Sequence, residues 1–322
     1  MALISVIIPV FNGQNTIKKT IESVLNQTWK DYELIIINDG STDSTEEIIS
    51  SISDSRIKVF NYPNAGPAVT RNRGIAIASG KYISFIDADD LWTPDKLEKQ
   101  LQKLEENPQA KIAYSWTDYI DEFDNFLYPG SHITANGNVY KQLLLNNFLE
   151  NGSNPLIDRQ VLIEAGGFDE SLFAAEDLDL WFKLAIKYEF VAVPYPQILY
   201  RVSTNSLSSN FERMEKKSLQ VMDIIDRAFS LAPQSLQNLK SKSISNFYLY
   251  MTIKSLEGRV TRAKGTAALR YYINTVKNNI SLLKARRKLM TIIWIKIIAY
   301  IFLPAQLVEH FLKKSPKHQN LQ

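Results

Sequence analysis

The chain has 322 residues, 45% of them apolar, which admits one large domain or two with a sizeable core. It has no cysteine, which excludes disulfide frameworks, thiolate metal sites and cysteine nucleophiles and fits a reducing compartment. The net charge of +3 hides an asymmetry: residues 1–210 hold 17 Lys+Arg against 28 Asp+Glu (−11), and residues 211–322 hold 20 against 6 (+14), so the two parts are expected to meet different partners.

Met1-Ala2-Leu3-Ile4-Ser5 has no basic stretch and leads straight into a strand pattern, so no signal peptide is expected. Ser5-Val6-Ile7-Ile8-Pro9 reads as a short apolar strand. Asn15-Thr16 opens a helix whose Ile17, Ile21, Val24 and Leu25 share one face. Glu33-Leu34-Ile35-Ile36-Ile37 is a second strand, too apolar to be exposed on either face. Asp43 and Glu46 have the spacing of a cap and its box partner for a helix through Ile48 and Ile49. Ile57-Lys58-Val59-Phe60 is a third strand, and a small-residue helix follows Gly66-Pro67. Tyr82-Ile83-Ser84-Phe85-Ile86 is a fourth strand, and Thr93-Pro94 opens the next helix. Continuous apolar strands alternating with helices predict an α/β fold with a mainly parallel sheet covered on both faces.

Residues 110–205 are less regular. Lys111-Ile112-Ala113-Tyr114-Ser115 reads as a strand, and Asp118, Asp121, Glu122 and Asp124 as a solvated hairpin. Gly166-Gly167 is a turn, and Glu176-Asp177 precedes a helix through Leu180, Phe182, Leu184 and Ile186. From about 211 the chain reads as helix after helix with Lys and Arg on the polar faces. The predicted division is 1–210 for the α/β domain and 211–322 for a basic helical region. Its apolar run 289–308 lies within an amphipathic segment, 284–314. Lys296, Pro304 and Gln306 interrupt the run, and Lys284, Arg286, Arg287, Lys288, Lys313 and Lys314 flank it. That pattern suits an interfacial helix on an anionic membrane, with a helix packed on the protein's own core as the first alternative and a true membrane span as the second.

The chemistry concentrates in Asp87-Ala88-Asp89-Asp90, directly after the fourth strand. Carboxylates crowded at a strand end repel one another unless a cation sits among them, and Mg²⁺ or Mn²⁺ favours such oxygen ligands together with substrate phosphates. Ligands of open α/β sheets bind beyond the carboxyl ends of the strands. Polar residues load those ends here: Asn12, Asn38-Asp39-Gly40-Ser41, Asn61 and Asn64, and Asp87 with Asp89. Asp39 suits a base N–H, Phe11 a stacked ring, and Arg71 a diphosphate, which its planar fork can grip. Asp89 suits the bridging cation, and Asp87 ribose hydroxyls or the metal. Asp177 is placed like a catalytic base, with helix capping as its plain alternative. Asp90 reads as a cap for the helix after Thr93-Pro94, and Asp179 as a helix-dipole partner.

Six motifs in order over residues 4–207 resemble the family 2 glycosyltransferases of GT-A fold. They are Ser5-Val6-Ile7-Ile8-Pro9-Val10-Phe11-Asn12, Ser23-Val24-Leu25-Asn26-Gln27-Thr28, Ile37-Asn38-Asp39-Gly40-Ser41-Thr42-Asp43, Gly66-Pro67-Ala68 through Arg71-Asn72-Arg73-Gly74, Asp87-Ala88-Asp89, and Gly166-Gly167-Phe168-Asp169 with Glu176-Asp177. The resemblance implies a nucleoside-diphosphate sugar as donor, UDP-linked by preference, held by Pro9, Phe11, Asn12, Asp39, Gly66, Arg71, Asp87 and Ala88. It implies Mn²⁺ or Mg²⁺ on Asp89 and Asp87, Asp177 as the base of an inverting transfer, and Gly167, Glu176, Trp181 and Arg201 on the acceptor side. Asn151, Ser153 and Asn154 are further acceptor-side candidates, with a plain turn as the alternative. The acceptor would be a saccharide or lipid-linked glycan, with the protein cytoplasmic and peripheral on the inner face of the membrane. The family's His shortly after Tyr-Arg is replaced here, in Tyr200-Arg201-Val202-Ser203, by Ser203. The Gln-x-x-Arg-Trp motif of processive synthases is missing, which implies single-sugar transfer. A nucleotide-sugar-binding scaffold without catalysis is the competing reading. The basic region lacks any nucleic-acid-reading motif, so nucleic acid is not an expected partner.

Overall fold

The computed structural model describes residues 2–202 and 211–308. The chain divides into two compact units, 1–143 with 147–206 and 144–146 with 207–322.

In the first unit strands and helices alternate in the predicted order: β1 (Ile4–Val10), α1 (Ile17–Leu25), β2 (Tyr32–Asn38), α2 (Thr45–Ser50), β3 (Ile57–Asn61), α3 (Pro67–Ile77) and β4 (Tyr82–Phe85). There follow β5 (Leu91–Trp92), α4 (Lys96–Glu106), β6 (Ala110–Ile120), β7 (Phe126–Pro129), α5 (Tyr140–Leu145), β8 (Leu156–Asp158), α6 (Arg159–Glu164), α7 (Glu176–Ala185) and β9 (Glu189–Arg201). They build a nine-stranded sheet of order β3-β2-β1-β4-β8-β6-β9-β5, with β7 paired to β6. The β3-β2-β1-β4 half is parallel throughout; beyond it β4–β8, β6–β8, β6–β7 and β5–β9 are antiparallel and β6–β9 is parallel. Every residue of β2 and β4 is buried, as unbroken apolar strands require when both faces are covered. Val6, Ile8, Leu34 and Ile36 pack with Ile17, Ile21 and Val24 of α1 in one core cluster. Gly74 lets α3 close on β1: a Cβ there would lie 2.5 Å from Ile7 Cγ2.

Two predicted caps are corrected. Glu46 does not close a box with Asp43; it accepts from Asn61 Nδ2 at 2.8 Å, while Asp43 accepts from the Thr45 and Gln14 amides. Asp90 does not cap α4 either. That helix starts at Lys96 after Asp95, whose carboxylate accepts from Thr93 Oγ1 at 3.0 Å, and Asp90 is buried elsewhere.

The second unit consists of α8 (Phe211–Leu231), a 3₁₀ turn Gln234–Leu239, α9 (Lys240–Ser255), α10 (Arg262–Asn278), α11 (Leu282–Ala285) and α12 (Arg287–Phe302). Leu249, Leu256, Ala268, Met290, Ile293, Ile297 and Tyr300 form its core. α10 and α12 meet at Gly265, where a Cβ would stand 2.8 Å from Tyr300 Cβ. Among the described residues no helix is long and apolar enough to cross a membrane. One face of α12 packs on this core, as the first alternative reading of the 289–308 segment expects, while Trp294, Ile295, Ile298 and Phe302 stay exposed. Lys313 and Lys314 lie outside the described residues.

Candidate active site

The parallel register pairs Ile7 with both Ile35 and Phe85, and Val10 with Asn38. The residues that follow β1, β2 and β4 therefore share one edge of the sheet. Phe11 leaves β1 with 52% of its surface exposed, directly after the buried Val10. Asn12 adopts a left-handed φ of 52° and its Oδ1 accepts from the Thr42 amide at 2.8 Å, locking the β1 loop to the β2 loop. Asp39 is buried. Its carboxylate accepts from the amides of Ala65 (3.0 Å) and Gly66 (2.9 Å) and from Arg73 Nη1 (3.0 Å), which organises the turn into α3. A carboxylate has about four acceptor positions, so one more donor can be taken. Gly66 has φ +91° and open space where a side chain would stand, so the backbone here is bare to an approaching ligand.

The acidic loop after β4 is held from several directions. Arg71 of α3 is buried; its Nη2 donates to Asp87 Oδ1 at 2.6 Å and its Nη1 to Glu176 Oε1 at 2.7 Å. Ser153 Oγ accepts from the Asp87 amide at 2.9 Å and donates to Asp90 Oδ2 at 2.5 Å. Thr20 Oγ1 reaches the Ala88 carbonyl at 3.0 Å. Arg201 Nε donates to the Asp89 carbonyl at 2.7 Å, its backbone N–H donates to Asp90 Oδ1 at 3.0 Å, and Nη1 pairs with Asp124 at 2.5 Å.

Electrostatics follows from this crowding. Burial, with the charge of Asp87 behind it, pushes the Asp89 carboxyl up to about 6. Burial and the charges of Asp89 and Asp87 raise Asp90 well above the ordinary range. Burial works against the Arg71 charge, but Asp87 and Glu176 outweigh it and raise its pKa. Asp177 opens α7 next to Glu176, behind a left-handed Ala175 (φ 56°). Burial and the neighbouring Glu176 push its carboxyl up to about 7, with Arg71 opposing. A carboxyl poised near neutrality is what a general base at physiological pH needs.

Among the described residues no three His, Asp or Glu side chains converge as a ready metal cage. The donors nevertheless fit a hard divalent ion. Mg²⁺ usually takes one or two carboxylates and completes its shell with water and substrate phosphates. Asp87 is still 28% exposed, and Asp89, two residues on, is raised first by burial and then by the charge of Asp87.

The structure gives several of the expected side chains other partners. Arg71 does not offer a free fork to a diphosphate, because the partly exposed Asp87 and the buried Glu176 occupy it. Glu176 is the second of these partners and is 11% exposed at its side chain, so it does not face an acceptor. Trp181 has no exposed surface and packs inside α7's inner face. Arg201, 3% exposed, braces the acidic loop. Gly167 (φ +66°) serves packing: a Cβ there would lie 2.6 Å from Asn72 Oδ1, which accepts from the Phe168 amide. Asn151, Ser153 and Asn154 are buried and bonded to Thr117, Asp90 and Ser115, so they support the loop. Asp118 and Asp124 are paired with His132 and with Lys19 and Arg201, so this hairpin is tied down and not simply solvated. Asp179 pairs with Lys183 at 2.8 Å in the first turns of α7. Ser203 lies outside the described residues. Arg73, which stands in the sequence only as part of its motif, and Thr20 have no role legible locally; their partners are 34 and 68 residues away.

Residues 5–255 match the family model described as "Glycosyltransferase like family 2". The chain belongs to that family. This glycosyltransferase is 34% identical over 237 residues to the "Putative teichuronic acid biosynthesis glycosyltransferase TuaG" of Bacillus subtilis, covering 70% of this chain and 89% of TuaG. It is 32% identical over 223 residues to the "UDP-Glc:alpha-D-GlcNAc-diphosphoundecaprenol beta-1,3-glucosyltransferase WfgD" of Escherichia coli, covering 68% of this chain and 85% of WfgD. An uncharacterized glycosyltransferase of Rickettsia bellii is 40% identical over 187 residues, 57% of this chain. The match spans only 26% to 30% of the length of that protein and two other Rickettsia relatives. Among solved structures, Staphylococcus aureus TarS 1–349 aligns with a TM-score of 0.59 at 16% identity, over 98% of this chain and 93% of that one. TarS 1–349 in complex with UDP-GlcNAc gives 0.56 at 15% identity, over 88% and 91%. The fold is GT-A.

Proposed function

We propose that this glycosyltransferase moves one sugar from a UDP-sugar to a hydroxyl of a saccharide or lipid-linked glycan, with inversion at the anomeric carbon, in cell-surface polysaccharide synthesis. The supporting observation is the Arg71 bridge, which ties the acidic loop at Asp87 to the helix that begins Glu176-Asp177. A donor-side cation site and a carboxylate poised near neutrality thereby stand on one brace.

In this reading Pro9, Phe11, Asn12, Asp39 and the bare backbone at Gly66 receive the nucleotide, Asp39 with its remaining acceptor position. Asp87 and Asp89, spaced by Ala88, would hold Mn²⁺ or Mg²⁺, which would offset negative charge on a leaving diphosphate. Asp177 takes the proton of the acceptor hydroxyl. That oxygen attacks the anomeric carbon from the face opposite the diphosphate, the bond to the diphosphate oxygen breaks, and UDP leaves with the electron pair. The proton stays on Asp177 and passes to solvent. Arg71 contributes as a counter-ion that holds Asp87 and Glu176 in place. The UDP preference rests on the UDP-GlcNAc complex of TarS and on the name of WfgD, and the lipid-linked option on the latter. The protein would work at the inner face of the cell membrane, its basic C-terminal region towards the lipid.

A thermal-shift panel of UDP-, GDP- and dTDP-sugars with and without Mn²⁺ tests this. The expected result is stabilisation by UDP and one UDP-sugar that deepens with Mn²⁺. Stabilisation by none of them would remove the donor assignment.

A further inference from the structure

The second unit carries a surface that the transfer reaction does not use. On α12, Met290, Ile293, Ile297 and Tyr300 turn into the helical core. Trp294, Ile295, Ile298 and Phe302 fall within an arc of about 100° on the opposite side, given 100° per residue. They are 43%, 61%, 39% and 69% exposed, and just beyond the end of the helix Leu303 and Leu307 are 44% and 43% exposed. A contiguous strip of this kind on a folded chain marks a surface that meets another phase or partner.

The charge around it selects the partner. Residues 258–308 hold ten Lys and Arg and not one Asp or Glu. Lys284, Arg286, Arg287 and Lys288 are all exposed at the amino end of the helix. Lys296 lies off the strip by helical spacing, on its flank. A second protein face would need compensating carboxylates that a copy of this segment does not have. A bilayer with anionic headgroups supplies both an apolar interior and negative charge at the boundary. The 16-residue α12 is about 24 Å long at 1.5 Å per residue, short of the roughly 30 Å hydrocarbon core, and one side of it is already committed to protein.

We propose that α12 docks in the plane of an anionic bilayer, with Trp294, Ile295, Ile298 and Phe302 in the acyl boundary and Arg286, Arg287 and Lys288 against the headgroups. The proposal deepens the membrane placement above and does not depend on the identity of donor or acceptor.

Sedimentation of the full chain with vesicles tests it, using phosphatidylcholine alone and phosphatidylcholine mixed with phosphatidylglycerol. Binding is expected only to the mixed vesicles and to weaken as salt rises. Arg286→Ser/Arg287→Ser/Lys288→Ser should lower the partition coefficient on the order of 100-fold, at roughly fivefold for each basic residue. Ile295→Ser/Phe302→Ser, both at exposed positions, should abolish retention while thermal melting and UDP calorimetry stay at wild-type values, which separates loss of docking from loss of the donor site. No binding to the mixed vesicles, or equal binding by both variants, overturns the proposal. So does a concentration-dependent dimer in ultracentrifugation that Ile295→Ser/Phe302→Ser dissolves, because the strip would then belong to a second copy. Resistance of bound protein to alkaline carbonate extraction would contradict in-plane docking.

Discussion

Replacing Arg71 by Met keeps the volume of the side chain and removes its charge and both of its bonds. Asp87, still 28% exposed, can recover part of its solvation, but Glu176 at 11% cannot. Removing one partner of a buried ion pair typically costs about 3–5 kcal/mol, and the partial exposure of Asp87 argues for the lower end, about 3 kcal/mol. For a unit of some two hundred residues that corresponds to a fall in Tm of roughly 6–12 °C. Differential scanning calorimetry of wild type, Arg71→Met, Glu176→Gln and the double variant measures it. The reasoning requires that Arg71→Met/Glu176→Gln melt higher than Arg71→Met alone, since the stranded carboxylate has gone. A shift of only a degree or two in the single variant, or a double variant that melts lower still, would refute the counter-ion role.

Three other outcomes follow from the same geometry. With Asp177 titrating at about 7, donor turnover should climb about tenfold per unit below pH 7 and level off above it; a flat rate from pH 5.5 to 8 would contradict this. Burial holds Glu150 at about 7, and its Oε2 has no partner. Its folded pKa is raised, so the stability it carries is intact below pH 4 and lost as pH rises through 7. Glu150→Gln should therefore match wild type in unfolding free energy at pH 4 and exceed it at pH 8 by up to about 3 kcal/mol in urea melts. Gly74→Ala should destabilise by about 1–3 kcal/mol in urea melts, because its Cβ would stand 2.5 Å from Ile7 Cγ2.

The parallel half of the fold was legible because its signals are local. β1, β2 and β4 are runs of consecutive apolar residues, and turn residues such as Asn38-Asp39-Gly40 mark where each stops. The acidic loop could be placed for the same reason. What stayed hidden depends on distant partners. Arg71 reads as a free phosphate-seeking arginine until Glu176, 105 residues on, arrives beside it. Asp90 reads as a cap until Ser153 and the Arg201 amide, 63 and 111 residues away, take its oxygens. The family resemblance puts Trp181 on the acceptor side, but a motif does not say which face of α7 turns inward, and Trp181 is fully buried. The 289–308 segment offers an interfacial helix and a core helix as rivals; periodicity does not show that one face of α12 packs in the core while Trp294, Ile295, Ile298 and Phe302 stay exposed.

The central claim is that Asp177 is the base at a UDP-sugar site. UDP release from the UDP-sugar selected by the thermal-shift panel, compared between wild type and Asp177→Asn, tests it most directly when UDP affinity is read on the same samples. The account predicts a rate lower by about 10²–10⁴ with UDP affinity essentially unchanged. UDP release by Asp177→Asn at the wild-type rate would contradict it.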